Sequence, residues 1–302
     1  MPWQEVSLMS QRREFVRLAQ QDGCNRRELC RRFGISPKTG YKWLKREELT
    51  DRSRRPRHSP ARTEAACEQP IVELRGEHPA WGARKLRRVL RQRGWTMPAV
   101  STVHAVLKRH GLIDAAASVA HRPFVRFEHA APNDFWQNDF KGHVPMLEGG
   151  RCHPLTTLDD HSRYAIELEA CADEHTNTVQ QRFQRAFEHY GCPLAMGFDN
   201  GSPWGNAASS PHTELTVWLM RLEIRVVHSR PYHPQTLGKD ERFHRSLDDE
   251  VLRRAPLRNL AEAQSRFDAW REIYNCERPH ESLGLEPPIS RYRPSPRRFP
   301  AT

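Results

Sequence analysis

Apolar residues recur at helical spacing through the first third of the chain and in short strand-like runs beyond it. Residues 5–21 place Leu8, Phe15, Val16 and Leu18 on one helical face, and Asp22-Gly23 ends that helix. Asn25 is a cap for a second helix, Arg26–Phe33, which buries Leu29 and Phe33 and stops at Gly34. Ser36-Pro37 supplies a cap followed by proline at the first helical position, predicting a third helix over Lys38–Arg46. A second group follows: Ala65–Gly76, then a helix opening at Trp81–Leu86 and carrying Leu86 and Leu90 until Gly94, then Val100–Arg109. In the last of these, Val100, Val103 and Leu107 make the inward stripe and leave Ser101, Thr102, His104, Lys108 and Arg109 outside.

The pattern changes after the small-residue stretch Ala115–Ala120. Asp134–Gly142 reads as a strand closed by a turn, continued by His143–Met146, and Arg151–Leu158 and Tyr164–Ala170 as two more strands around the turn Asp159–Arg163. Thr176–Tyr190 is a helix with Val179, Phe183 and Phe187 at four-residue steps. Leu194–Phe198 is an apolar strand delivering Asp199 at its end, and Asn200-Gly201 turns the chain. A helix over Thr213–Leu222, a strand over Glu223–Ser229, the Pro/Gly-rich loop Arg230–Gly238 and a helix over Lys239–Arg254 complete the order βββαβαβα, an α/β layered domain on a mixed five-stranded sheet. Leu260–Tyr274 is an amphipathic helix expected to pack on this domain, and Pro287–Pro300 an extended Pro/Arg-rich tail with DNA, a second protomer or solvent beside it. The expected divisions are 1–50, 51–63 (basic linker), 64–114, 115–130 (linker), 131–256 and 257–302.

Charge sharpens this division. Residues 1–110 hold 25 Lys/Arg against 11 Asp/Glu, whereas the other 192 hold 23 against 26. A basic helical front and a mildly acidic α/β back fit DNA binding joined to a domain with an acidic centre. Helix, tight glycine-containing turn and basic helix is the helix-turn-helix arrangement, with Ser36, Lys38, Thr39, Lys42 and Lys45 as candidate DNA contacts. The second helical group reads as another, through Ser101, Thr102, His104 and Lys108. Between them residues 51–63 carry five arginines, of which Arg54, Arg55 and Arg57 are candidates for tracking phosphates. No apolar run approaches a membrane span, and the chain lacks an export-type leader, which points to the cytosol. Seven scattered cysteines without a C-x-x-C pair argue against a disulfide framework or a thiolate zinc site.

Three acids stand out in the back half. Asp139 lies within a strand and Asp199 at the end of one. Glu241 opens a helix about 120° from the apolar stripe of Phe243, Leu247 and Val251, hence off the core face. Carboxylates on separate elements suit Mg²⁺, which takes hard oxygen ligands and keeps positions open for water and phosphate oxygens. Lys239 beside Glu241 is a candidate for a DNA phosphate.

At these residues the sequence resembles insertion-sequence transposases with a retroviral-integrase-type core, the DDE group on a ribonuclease-H-like fold. The matching pieces are Trp136-Gln137-x-Asp139-Phe140-Lys141-Gly142, Leu158–Arg163, Asp199-Asn200-Gly201 and Arg230-Pro231-x-His233-Pro234-Gln235-Thr236-x-Gly238-Lys239-x-Glu241-Arg242-Phe243-His244. Tyr274-Asn275-x-x-Arg278-Pro279-His280-x-Ser282-Leu283 and, in the front half, Trp81–Leu86 add to these. The resemblance implies Asp139, Asp199 and Glu241 as catalytic, metal-binding acids and two Mg²⁺ or Mn²⁺ ions per site. It also implies cleavage at transposon ends with transfer of the 3′ hydroxyl to target DNA, and an assembly at least dimeric on DNA, with neither a membrane nor a small-molecule substrate involved. Asp159 and Asp160 fall in the family's hairpin and take a structural role, and Asp240 sits at a variable position. After Gly201 the chain departs from many relatives, with Ser202–Ala208 in place of an early aromatic. Two other readings compete: a sequence-specific DNA-binding regulator with an inert dimerisation core, and a ribonuclease or resolving nuclease on the same fold.

Overall fold

A computed structural model describes residues 7–51, 63–113, 128–205, 212–229 and 238–300. It divides into two compact units, residues 1–62 and 63–302.

The first unit is a trihelical module of α1 (Leu8–Ala19), α2 (Arg26–Arg32) and α3 (Pro37–Leu44). Three side-chain caps set the helix starts: Ser7 accepts from the Ser10 N–H, Asn25 from Glu28 and Ser36 from Thr39. Phe15, Ala19, Leu29 and Cys30 form the core, while Leu8, the first residue of α1, is exposed. Gly40 is where α3 comes closest, since a Cβ there would lie 2.5 Å from Cys30 Sγ.

The second unit begins with α4 (Ala65–Glu77), α5 (Ala83–Gln92) and α6 (Val100–Arg109), packed around Ile71, Leu74, Trp81, Leu86, Leu90, Val103, Val106 and Leu107. Within this unit the helices of residues 64–114 are fastened to the α/β body. Arg88 pairs with Glu286, Arg84 approaches Glu281 at 3.9 Å and Arg93 approaches Glu277 at 3.8 Å. Arg254 donates to the Glu77 carbonyl at 3.1 Å, and Ile273 packs on the trihelical core. The basic face of α5 thus meets acids near the end of the chain.

The α/β body holds β1 (Trp136–Phe140), β2 (Val144–Pro145), β3 (Arg151–Asp159), β4 (Ala165–Cys171), α7 (Thr176–Tyr190), β5 (Ala195–Phe198), α8 (Glu214–Arg221), β6 (Arg225–His228), α9 (Gly238–Leu247) and α10 (Leu260–Cys276). Two-residue β2 is a sixth strand that the sequence pattern merged with β1, because Gly142 at positive φ breaks the run. The long strands lie in the order β4-β3-β1-β5-β6, antiparallel across β4/β3 and β3/β1, parallel across β1/β5 and β5/β6. This is the ribonuclease-H-like sheet. One face buries Phe183, Phe187, Leu215 and Leu219 of α7 and α8. The other buries Phe243, Leu247, Phe267 and Trp270 of α9 and α10, so the sheet is covered on both sides. After Leu247 the helix widens by one turn over Asp248–Leu252, ending near the expected Arg254.

The tail departs from expectation. Pro288–Ser290 forms a short turn, Tyr292 stacks on Tyr164 at 4.1 Å, and Phe299 packs against Phe187. Arg297 donates to the carbonyls of Pro193, Leu222 and Glu223. Among the described residues, this segment is bound to its own core.

Candidate active site

Strand alternation places Gln137 and Asp139 on the face of β1 that α9 covers. Asp139 sits opposite Thr156 of β3. Asp199 follows the last residue of β5, the strand parallel to and beside β1. The end of β5 is pinned: Ser229 N–H donates to the Phe198 carbonyl at 2.9 Å, His228 Nδ1 to the Asp199 carbonyl at 2.9 Å and Asn200 Nδ2 to the Ser229 carbonyl at 3.0 Å. Gly201 N–H donates to Asp199 Oδ1 at 3.0 Å. The segment after Gly201 is anchored by Trp204, fully buried and stacked on Phe198 at 4.8 Å and near Phe140 at 5.7 Å. An aromatic is therefore present here, three residues beyond Gly201, and it closes the core beneath Asp139 and Asp199.

The two strand-borne acids sense each other. Burial, and then the charge of Asp199, pushes the Asp139 carboxyl up to about 7. Asp139 thus lies in β1 and Asp199 just past the end of its parallel neighbour β5. Glu241 stands on the solvent side of the first turn of α9, 70% exposed, with a carboxylate oxygen 3.6 Å from Arg245. That agrees with its helical-wheel position off the core. Its neighbour Asp240 turns the other way and is completely buried. Asp240, His244 and Asp139 each present a potential ligand atom, all within 4.8 Å of one another. Burial, and then Asp139, holds Asp240 well above the ordinary carboxylate range. Burial, with help from Lys141, drops His244 to about 3. In the sequence Asp240 stood only at a variable position and His244 only within the motif around Glu241, and nothing singled out Thr156. The available signal was Thr156-Thr157, a polar pair between Leu155 and Leu158, and the four-residue step from Asp240 to His244.

Lys239 does not stand out towards a phosphate. It pairs with the Asp160 carboxylate and donates to the Asp160 carbonyl at 3.1 Å, tying α9 to the β3–β4 turn. Asp160 also accepts from Gln137 Nε2 at 2.7 Å and His129 N–H at 2.9 Å, and Asp159 accepts from the N–H groups of Asn133 and Ser162, both at 2.7 Å. These two acids hold the turn.

Of the candidate DNA contacts, Ser36 and Lys38 are exposed at the start of α3 and Thr39 is half-buried, though Ser36 Oγ is also the cap. Lys42 and Lys45 are exposed, Lys42 with its ammonium 4.8 Å from the Trp43 ring centroid. On α6, Ser101, His104 and Lys108 are exposed and Thr102 is half-buried. Ser101 and His104 share a cleft with Arg84, Lys85 and Glu281. Arg54, Arg55 and Arg57 lie outside the described residues, as does the loop 230–237.

Residues 129–234 and 222–288 match the integrase core domain, together more than half of the chain. The chain belongs to the insertion-sequence transposases with an integrase core. Ahead of that core, residues 11–57 match a helix-turn-helix domain and 39–107 a homeodomain-like domain. An uncharacterised 39.2 kDa protein of insertion element IS476 from Xanthomonas euvesicatoria is 27% identical over 240 residues, covering 77% of this chain and 66% of that protein. A 31.7 kDa protein of IS407 from Burkholderia multivorans is 26% identical over 224 residues, covering 72% and 77%. The integrase-core protein also aligns with a chain of the simian T-cell lymphotropic virus intasome at TM-score 0.43 and 16% identity, covering 77% and 78%. With the HTLV-2 integrase catalytic core solved with magnesium, the values are TM-score 0.41 and 18% identity over 54% and 98%. Among the described residues no helix is long and apolar enough to cross a membrane.

Proposed function

We propose that this protein is a metal-dependent DNA strand transferase acting at the ends of its own insertion element, with Asp139, Asp199 and Glu241 as the metal-binding acids. The observation that supports the reading is the placement of Asp139 in β1 and of Asp199 just past the end of β5, the adjacent parallel strand. Two like charges on fixed strand positions, both partly open to solvent, form a hard-oxygen donor set of the kind that takes Mg²⁺ or Mn²⁺. Glu241 adds a third carboxylate from the first turn of α9, one residue after an acid that reaches Asp139. A bound pair of ions supplies activation of the attacking hydroxyl and stabilisation of the leaving oxygen. The protein's own part is placement: β1 and β5 fix two acids, and Trp204 supports the floor beneath them. End recognition falls to Lys38, Thr39, Lys42 and Lys45 of α3 and to Ser101, Thr102, His104 and Lys108 of α6. Joining two ends in one reaction calls for at least a dimer on DNA.

The test is an end-joining assay with purified protein, Mg²⁺ or Mn²⁺, and a duplex carrying the element's terminal repeat. Wild type yields joined products, and Asp199→Asn yields none. Identical behaviour of the two proteins sinks the enzyme reading and favours the regulator.

A further inference from the structure

Resting on the metal-site reading above, we infer that His244 is a positioning residue, which holds the Asp139 segment through the hydroxyl of Thr156 rather than by touching the Asp139 carboxylate. Thr156 is fully buried at the centre of β3. Its Oγ1 has one hydrogen and four close neighbours: the Asp139 carbonyl at 2.9 Å, both Asp240 carboxyl oxygens at 3.1 Å and His244 Nε2 at 2.8 Å. A hydroxyl donates once and accepts at two lone pairs. Among these neighbours the carbonyl can only accept, whereas an imidazole nitrogen can donate. The one hydrogen is assigned to the Asp139 carbonyl, the neighbour that can only accept, and His244 is assigned an Nε2–H to a Thr156 lone pair. That assignment, made from the hydrogen-bond network, leaves Nδ1 with its lone pair.

Nδ1 is 3.9 Å from Asp139 Oδ2, beyond hydrogen-bonding reach. The ring therefore acts on Asp139 along one route: Nε2–H to Thr156, and the Thr156 hydroxyl to the Asp139 main chain. His244 stands one helical turn after Asp240 and three residues after Glu241, so the same contact also fixes the rotation of α9 against β3. One hydroxyl thus holds together the strand bearing Asp139 and the helix bearing Glu241.

The geometry sets a test that separates the two ring nitrogens. The glutamine amide nitrogen reaches the place of Nε2, and the asparagine amide reaches only that of Nδ1. Thermal unfolding of the full chain would be followed against Mn²⁺ alone, and the Mg²⁺ midpoint of end joining would be measured in parallel. His244→Gln is expected to keep the apparent metal affinity within about twofold of wild type, and His244→Asn to weaken it at least about fivefold in both measurements. Thr156→Val is expected to weaken it like His244→Asn, and Thr156→Ser, which retains the hydroxyl, to preserve it. The Thr156 pair decides the matter should His244→Asn fail to fold. Rescue by Asn with failure of Gln, or wild-type metal affinity in every His244 and Thr156 variant, overturns the positioning role. Asp139→Asn separates the two levels. If wild type gains no stability from Mn²⁺, or the gain survives Asp139→Asn, the metal-site reading falls and takes this role with it. A gain that depends on Asp139 but not on His244 or Thr156 removes the positioning role alone.

Discussion

Arg278 and Glu250 form an ion pair of 2.9 Å with both side chains more than nine-tenths buried. Glu250 also accepts from Trp270 Nε1 at 2.9 Å, and Arg278 donates to Ser246 Oγ at 3.1 Å. The pair links the widened turn after α9 to the segment after α10. Burial pushes the Glu250 carboxyl up, but the Arg278 charge and the hydrogen bonds from Arg278 and Trp270 outweigh it, and the carboxyl ends below its ordinary range. Removing one partner leaves an uncompensated buried charge, which costs about 3–5 kcal/mol. Glu250→Ala and Arg278→Ala are each expected to lower stability by that order in urea unfolding. The folded carboxyl binds its proton less tightly than the unfolded one. The pair's contribution is therefore full above the ordinary glutamate range and is lost as pH falls through the lower folded value. A wild-type acid transition that Glu250→Gln leaves unchanged would contradict this.

In the first unit, Gly40 is set by packing. An added Cβ meets Cys30 Sγ at 2.5 Å and a Phe15 ring carbon at 2.9 Å, in the core that seats the candidate recognition helix. Overpacking of this kind costs about 1–3 kcal/mol. Gly40→Ala is expected to lower the melting of this module and weaken DNA binding at a given temperature, while the unit of residues 63–302 melts as before. Cys30→Ala in the same chain removes the nearest obstacle and is expected to return part of the loss. A Gly40→Ala protein as stable as wild type would remove the packing argument.

Much of this fold was legible because local chemistry and packing agree. Thr176–Tyr190 appears residue for residue as α7, since Val179, Phe183 and Phe187 form a single stripe and Gly191 at positive φ ends it. Ser36-Pro37 announced α3 through the physics of capping. Asp199 was visible as an acid closing an apolar run, and Asp139 as an acid within an aromatic-rich strand. What escaped was tertiary. A period of 3.6 says which residues of α9 face away from Phe243, but not that Asp240 would be covered by β1 and β3 while Glu241 remains in solvent. The attachment of α5 to the end of the chain depends on pairing Arg88 with Glu286, almost two hundred residues apart, which no local pattern carries.

The tail supplies another case. Arg297 reads as one of several arginines in a proline-rich segment, yet its guanidinium serves three carbonyls at the start of β5 and the end of α8. Ser295 N–H donates to the Tyr190 carbonyl at 2.7 Å, and Cys192 N–H to the Arg297 carbonyl at 2.7 Å. Loss of those charge-assisted bonds, with carbonyls left partly covered, costs about 1–3 kcal/mol. Arg297→Ala is expected to destabilise the α/β body by that amount while leaving the salt dependence of DNA binding unchanged. A reduced salt slope with unchanged stability would return Arg297 to a phosphate-contacting role.

Neighbouring acids on α9 give the sharpest division between structure and chemistry. Asp240 is buried against Asp139 and Thr156, and both its burial and Asp139 favour its protonated form. Between the ordinary aspartate range and that raised value, the folded state holds a proton that the unfolded chain has released. Stability therefore falls as pH rises through this interval. Asp240→Asn removes the titration and keeps the shape, so it is expected to stabilise the protein at pH 7 by an amount that shrinks as pH drops towards 4. Glu241, whose carboxylate lies 3.6 Å from Arg245 at the surface, contributes little to folding. Glu241→Gln is expected to leave thermal unfolding within about 0.5 kcal/mol of wild type. In end joining the order reverses: Glu241→Gln loses at least about a thousandfold, of the order known for removing one charge-stabilising group, and Asp240→Asn retains activity within about tenfold. If Asp240→Asn is the inactive variant and Glu241→Gln the active one, the third metal-binding acid is the buried residue.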